Sequence, residues 1–165
     1  MMNLKNIFKK NKEIIVYSPL KGEILDLNEV PDNVFTSNII GNGCAIMPEP
    51  GDICAPISSK VEIFKTNHLL IFEPKKGVYI VIHFGVGTSL LGGKGFERIV
   101  ELSPKKMVEM GDKLVSYDLD YLKVNAKSII TPIIVSDDNV EKIELLVNPG
   151  GKIELGAPLI KVFLK

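Results

Sequence analysis

Glycine and proline break this chain into pieces too short for long helices. Turn signals stand at Pro19–Gly22, at Gly41-Asn42-Gly43, at Pro48–Asp52, at Pro74–Gly77, at Gly111-Asp112 and at Asn148–Gly151. Proline lacks the amide proton that a helix interior or a ladder needs, and glycine reaches the positive φ that tight turns demand. Short runs of apolar and β-branched residues lie between these signals. Strands recurring every 8–12 residues or so are the pattern of an all-β sandwich or barrel. A short echo runs through the chain as well. Ser18-Pro19-Leu20, Ala55-Pro56-Ile57, Thr131-Pro132-Ile133 and Ala157-Pro158-Leu159 all read small, proline, aliphatic. Similar β-turn-β units around a pseudo-symmetric core would produce it.

The expected fold is an antiparallel β-sandwich, or barrel-sandwich, with short edge helices. A length of 165 residues suits one domain with a sizeable core. Residues 13–165 are read as that domain. Residues 1–12 differ: Leu4, Ile7 and Phe8 have helical spacing among Lys5, Lys9, Lys10 and Lys12. This reads either as a terminal segment packed on the domain or as an amphipathic basic segment suited to weak contact with an anionic membrane surface. Met1 ahead of one whole domain reads as a free-standing protein. The net charge of zero argues against nucleic acid, which needs a basic surplus. The sequence contains neither an apolar run of membrane-spanning length nor a signal peptide. Cys44 and Cys54 lack metal-ligand spacing and sit among apolar residues, as reduced thiols of a cytoplasmic protein would.

Several local expectations follow. Asn28–Ser37 reads as loop. Phe96–Leu102 reads as a short helix, and Leu119–Lys127 as the best helix, capped by Asp118. Ile129–Ser136 reads as a strand interrupted by Pro132, hence an edge or an irregular one.

The chain's only two histidines, His68 and His83, lie in adjacent strand-like runs joined by Pro74-Lys75-Lys76-Gly77. A turn centred between Lys75 and Lys76 sets His68 directly opposite His83 on one face with Thr66, Leu70, Phe72, Tyr79, Val81 and Gly85. Opposed residues have Cβ atoms roughly 4.5–5.5 Å apart. Three chemistries compete for the pair. Each imidazole can be a satisfied core residue. Together they can supply half of a tetrahedral zinc site that a partner completes. Or one neutral imidazole accepts a phosphoryl group while the other donates to the phosphoryl oxygens, with the Thr66 hydroxyl fixing the tautomer of His68. No nucleotide-binding or nucleophile-elbow motif accompanies them.

Gly77-Val78-Tyr79-Ile80-Val81-Ile82-His83-Phe84-Gly85-Val86-Gly87-Thr88 closely resembles the signature of the glucose-family IIA component of the bacterial phosphoenolpyruvate-dependent sugar phosphotransferase system. Ser18–Ile24, Val30-Pro31-Asp32, Phe35, Gly41-Asn42-Gly43, Thr66-Asn67-His68, Lys94-Gly95-Phe96 and Thr131-Pro132 resemble further landmarks of that family in order and spacing.

The resemblance implies that His83 accepts a phosphoryl group from the phosphocarrier protein HPr and passes it to a cysteine on the IIB domain of a sugar permease. That would make the chain a phosphotransferase component without an ATP site or a required cofactor. It implies that His68 supports the transfer and Thr66 supports His68. It implies an apolar docking ring of Val34, Phe35, Ile39, Ile40, Phe64 and Val81. Sugar choice would belong to the permease. Gly87, Ser89, Ser37, Asn38 and Asn42 depart from the family's frequent residues at the rim of that face, which bears on regulatory contacts. Two other classes stay open beside the carrier: a regulatory protein holding zinc between His68, His83 and a partner, and a biotinyl or lipoyl carrier. Lys75-Lys76 lacks the methionine or alanine neighbour that a modified lysine commonly has.

Overall fold

A computed structural model describes residues 12–101, 106–136 and 138–165. Most of residues 1–12, the basic segment, therefore lies outside the described residues. The strands are β1 (Glu13–Tyr17), β2 (Gly22–Leu25), β3 (Asn42–Pro48), β4 (Gly51–Cys54), β5 (Ser59–Ile63), β6 (Leu69–Lys75) and β7 (Val78–His83). They continue with β8 (Phe96–Arg98), β9 (Lys106–Val108), β10 (Lys113–Tyr117), β11 (Thr131–Val135), β12 (Val140–Leu145), β13 (Lys152–Ile153) and β14 (Pro158–Leu164). Two short helices, α1 (Asn33–Thr36) and α2 (Leu119–Asn125), and two 3-10 turns (Leu27–Glu29 and Thr88–Leu91) complete the described elements.

All described strand pairs are antiparallel. They form an eight-stranded sheet in the order β13-β2-β3-β11-β7-β6-β5-β9 and two three-stranded sheets, β1-β14-β12 and β4-β10-β8. One buried cluster joins the three sheets. It takes Ile24, Ile46, Val61, Leu70, Phe72, Ile80, Ile82 and Ile133 from the large sheet and Phe84 from just beyond β7, with Val16, Ile160 and Val162 from one small sheet and Ile53, Leu114 and Val115 from the other. The expected sandwich is thus formed, with the small sheets packed on one face of the large one. Cys44 and Cys54 are buried free thiols in or beside this core, and burial pushes the Cys44 thiol up to about 12.

The sequence echo has a structural counterpart. Exchange of β13, β2, β3 and β11 with β9, β5, β6 and β7 leaves the order of the large sheet unchanged, and β1-β14-β12 then exchanges with β4-β10-β8. The hydrogen bonds repeat in kind. Tyr17 N donates to Pro56 O at 2.9 Å and Cys54 N to Pro19 O at 3.0 Å. Ser18 N donates to Ala157 O and Ala55 N to Asp112 O, both at 2.8 Å. Two small-Pro segments therefore cross at a pseudo-twofold axis. Thr131-Pro132 stands apart from this crossing.

Three local expectations need correction. Asn28–Ser37 is more than loop: Asp26 caps the Leu27–Glu29 turn in a capping box with Glu29, and the Asp32 carboxylate accepts from Val34 N at the start of α1. Phe96–Arg98 is a strand paired with β10, its Phe96 ring packed edge-on against Phe84 at 5.4 Å. A run this short cannot nucleate a helix without packing, and the open edge of β10 takes it instead. Pro132 lies in β11, at the centre of the large sheet. The β11–β7 pairing begins at Ile133 opposite Ile82, so no ladder bond on that side is asked of the proline. The best helix is present as Leu119–Asn125, with the Asp118 carboxylate accepting from Tyr121 N.

Alternation along the large sheet gives its second face another layer. Ala45, Val81 and Ile134 point away from the main core and pack with Leu27, Val30, Phe35 and Val86. The Leu27–Glu29 turn and α1 thus cover the outer side of the central strands. Position 83 shares the parity of Val81, so His83 emerges at the edge of this cover.

Candidate active site

The β6–β7 hairpin closes differently from the symmetric expectation. Lys75 pairs with Val78 across a tight Lys76-Gly77 turn, Gly77 having φ 77°. The register then shifts between Phe72 and Lys75, so that Phe72 opposes Ile80 and Leu69 opposes His83. Two β6 residues, Glu73 and Pro74, face one β7 residue, Tyr79, and this is a β-bulge. His68 is therefore not opposite His83 in the ladder. Phe84 N donates to His68 O at 2.7 Å instead. The inner face carries Leu70 and Phe72 with Ile80, Ile82 and Phe84; the outer face carries Leu69 and Ile71 with Tyr79, Val81 and His83.

The imidazoles nevertheless meet. His68 precedes β6 and belongs to the turn after β5, where Asn67 takes the left-handed conformation at φ 60°. Strand alternation does not bind a turn residue. The His68 ring packs edge-on against His83, with centroids 4.9 Å apart and planes at 80°. The Phe35 ring lies 5.1 Å from His83 on another side.

Each ring is held through Nδ1. His83 Nδ1 lies 2.8 Å from Gly85 O. A carbonyl only accepts, so this nitrogen carries the proton and the Nε2 of the neutral ring keeps its lone pair. Gly85 has φ 70°, and a Cβ there would lie 2.6 Å from Ser128 O. Its amide donates to Thr131 Oγ1 at 3.2 Å, and the buried Thr131 hydroxyl donates in turn to Ile129 O. The same Gly85–Val86 peptide that takes the imidazole proton donates its own amide to Ser128 O at 2.8 Å. His68 Nδ1 lies 2.6 Å from Thr66 Oγ1.

Both rings are kept neutral. Burial, then the neighbouring His83, lowers His68 to about 4. Burial also lowers His83, against the opposing pull of its bond to Gly85 and the charge of Asp32. Such a pair suits nucleophilic chemistry at nitrogen, because a protonated imidazole has no lone pair to offer. The pair also supplies two ligands for a metal, half of a tetrahedral set. Among the described residues, no group of three or more His, Cys, Asp or Glu side chains could hold a metal ion by itself.

The six ring positions fall into two groups. Val34, Ile39, Ile40 and Phe64 are exposed, Ile39 at 84%. Phe35 is buried against His83, and Val81 is half-buried under the same cover, so these two support the site from below. Gly85 and Thr131 were visible in the sequence only as parts of longer motifs; no local pattern gave their place behind His83.

Residues 14–141 match the family profile described as the phosphoenolpyruvate-dependent sugar phosphotransferase system, EIIA 1. The chain belongs to this glucose-type EIIA family of phosphocarrier domains. The EIIA chain is 37% identical over 160 residues to the glucose-specific EIIA component of Haemophilus influenzae, covering 95% of itself and 94% of that relative. Against the glucose-specific EIIA component of Borreliella burgdorferi it is 39% identical over 145 residues, covering 87% of itself and 76% of the relative. It is also 41% identical over 149 residues to the glucose-specific EIICBA component of Staphylococcus carnosus, of which it spans only 22% of the length. In structure it is similar to the glucose permease IIA from Mycoplasma capricolum, with a TM-score of 0.83, 37% identity and coverage of 92% and 97% of the two chains.

Proposed function

We propose that this EIIA chain carries a phosphoryl group on Nε2 of His83, taking it from phospho-HPr and passing it to a cysteine of a sugar permease's IIB domain. The observation that carries this reading is the bond from His83 Nδ1 to Gly85 O, which leaves Nε2 as the nucleophile. The Nε2 lone pair attacks phosphorus, the P–N bond to the HPr imidazole breaks, and that imidazole leaves with the electron pair. A thiolate of the IIB cysteine later attacks in the same way, and His83 departs as the neutral ring. With the Thr66 hydroxyl donating to Nδ1, His68 bears its proton on Nε2 and donates it to a phosphoryl oxygen. Phe35 and the apolar surround keep water from the labile P–N bond.

The exposed Val34, Ile39, Ile40 and Phe64 are the docking ring for both partners. A surface that must meet two proteins in turn suits apolar contact of modest extent. Residues 13–165 are the working domain in this reading. We place the work in the cytoplasm. Among the described residues no helix is long and apolar enough to cross a membrane.

The test is an intact-mass measurement after mixing the chain with phospho-HPr. One acid-labile phosphoryl group should appear on the wild-type chain and be absent from His83→Ala. No gain in mass on the wild-type chain would overturn the proposal.

A further inference from the structure

Arg98 is absent from every role assigned above, yet its guanidinium makes three hydrogen bonds to one turn. It sits at the end of β8, in the small sheet β4-β10-β8, with Val115 as its ladder partner. Its side chain leaves that sheet and reaches the turn after β5 in the large one. Nε donates to Asn67 Oδ1 at 2.9 Å. Nη2 donates to Ile63 O at 3.2 Å and to Phe64 O at 2.9 Å. One edge of a planar guanidinium thus grips two backbone carbonyls and the side chain of the residue between Thr66 and His68.

That turn needs an external hold. Asn67 is one of two non-glycine residues with positive φ among the described residues, a conformation that costs free energy for a residue with a Cβ. Within the turn, Asn67 N donates to Phe64 O at 2.8 Å and Phe64 N to Leu69 O at 3.0 Å. Because His68 lies before β6, these bonds, the Phe84 N to His68 O bond and the Arg98 grip together set where its ring points. Phe64, whose carbonyl Arg98 holds, is also an exposed member of the docking ring. The far end of the clamp is firm: Phe96, two residues before Arg98, packs against Phe84, the neighbour of His83.

We propose that Arg98 is a positioning residue for phosphoryl transfer, locking the Phe64–His68 turn so that the Thr66–His68 pair is aimed at the group on His83. This rests on the carrier reading above. Arg98 touches neither reacting nitrogen in the structure; it acts through the turn. A lysine offers one point charge in place of a planar fork and cannot hold three acceptors in the same geometry.

The experiment uses the full chain with phospho-HPr and a IIB domain, in wild type, Arg98→Ala, Arg98→Lys, His68→Ala and the double variant Arg98→Ala/His68→Ala. Arg98→Ala should still take one phosphoryl group onto His83. Its onward transfer should slow on the order of tenfold to a hundredfold, the size expected for a misplacement of about 1 Å. Arg98→Lys should fall between it and wild type. In the His68→Ala background, Arg98→Ala should add little further loss, since both act through one ring. The 15N signals of the His68 ring should move in Arg98→Ala while those of His83 stay. Wild-type transfer in Arg98→Ala, or losses that multiply in the double variant, would overturn the proposal. If Arg98→Ala does not fold, Arg98→Lys and Asn67→Gly decide by the same readouts; glycine adopts the positive φ of this position readily and removes the side chain that Arg98 Nε holds. Should the wild-type chain take no phosphoryl group, the carrier reading falls separately. The His68 ring signals then decide alone, and an unmoved spectrum in Arg98→Ala overturns the clamp.

Discussion

The amide of Phe84 donates to the carbonyl of His68 at 2.7 Å, so the backbone bond across the end of the hairpin bypasses His83. The two imidazoles are brought together by a turn and a bulge. Each has its own Nδ1 partner, Thr66 for His68 and Gly85 for His83. The two can therefore be perturbed separately.

Thr66→Val removes the hydroxyl and nearly preserves the shape. One hydrogen bond at a half-buried site contributes about 0.5–1.5 kcal/mol. The variant should accept the phosphoryl group at the wild-type level and deliver it to IIB about three- to tenfold more slowly, as read by rapid-quench kinetics. Delivery at the wild-type rate would remove Thr66 from the site.

Gly85→Ala and Gly92→Ala form a matched pair. Both glycines have positive φ, 70° and 62°, but a Cβ at 85 meets Ser128 O at 2.6 Å while one at 92 meets nothing within 4 Å. Gly92→Ala should cost about 1 kcal/mol from backbone strain alone. Gly85→Ala should cost clearly more in urea unfolding and should also weaken phosphoryl uptake, because the carbonyl that holds His83 must shift. Equal costs would show that the Ser128 contact yields without consequence.

His68 titrates near 4 in the fold and at 6.5 as an ordinary imidazole. Between these values the unfolded chain binds a proton that the folded chain refuses. Stability must then rise with pH through this window and fall on acidification from about 6.5 towards 4. His83, lowered by burial, contributes in the same direction. Urea midpoints taken across this range should change less steeply in His68→Gln than in wild type. An unchanged slope would mean that His68 is not held neutral by the fold.

Ile39→Asp tests the docking ring. Ile39 is 84% exposed, so a charge there should leave the thermal midpoint near wild type. If the ring docks the partner, a charge on it should raise the KM for phospho-HPr by about tenfold or more. A wild-type KM would put the docking face elsewhere.

Much of the site was legible because its parts lie close in sequence. Thr66 and His68 are two residues apart and joined by a direct bond, whereas Gly85, equally close to His83, showed in the sequence no sign that its carbonyl accepts from Nδ1. The register was not legible. A centred Pro-Lys-Lys-Gly turn and a two-residue turn with a bulge at Glu73-Pro74 use the same residues and differ by one position. Since side chains alternate with period two, that one position reverses which face each residue occupies. Pro132 misled for a related reason: the cost of a missing amide depends on what lies beside it, and the β7 ladder starts one residue later. Phe96–Arg98 followed its neighbour β10 over its own weak helical pattern.

The sequence by itself determined the class of fold, since glycine and proline at short intervals permit little but short strands. It also determined the chemistry on offer: two histidines in neighbouring strand-like runs, with a threonine hydroxyl two residues from His68. Only the tertiary structure decided which nitrogen is free. Carbonyl direction, burial and the left-handed turn at Asn67 depend on segments distant in sequence, among them β8 with Arg98 and β11 with Thr131. Local pattern specifies which groups are present. Their aim depends on long-range packing, because strand alternation does not fix the side chain of a turn residue.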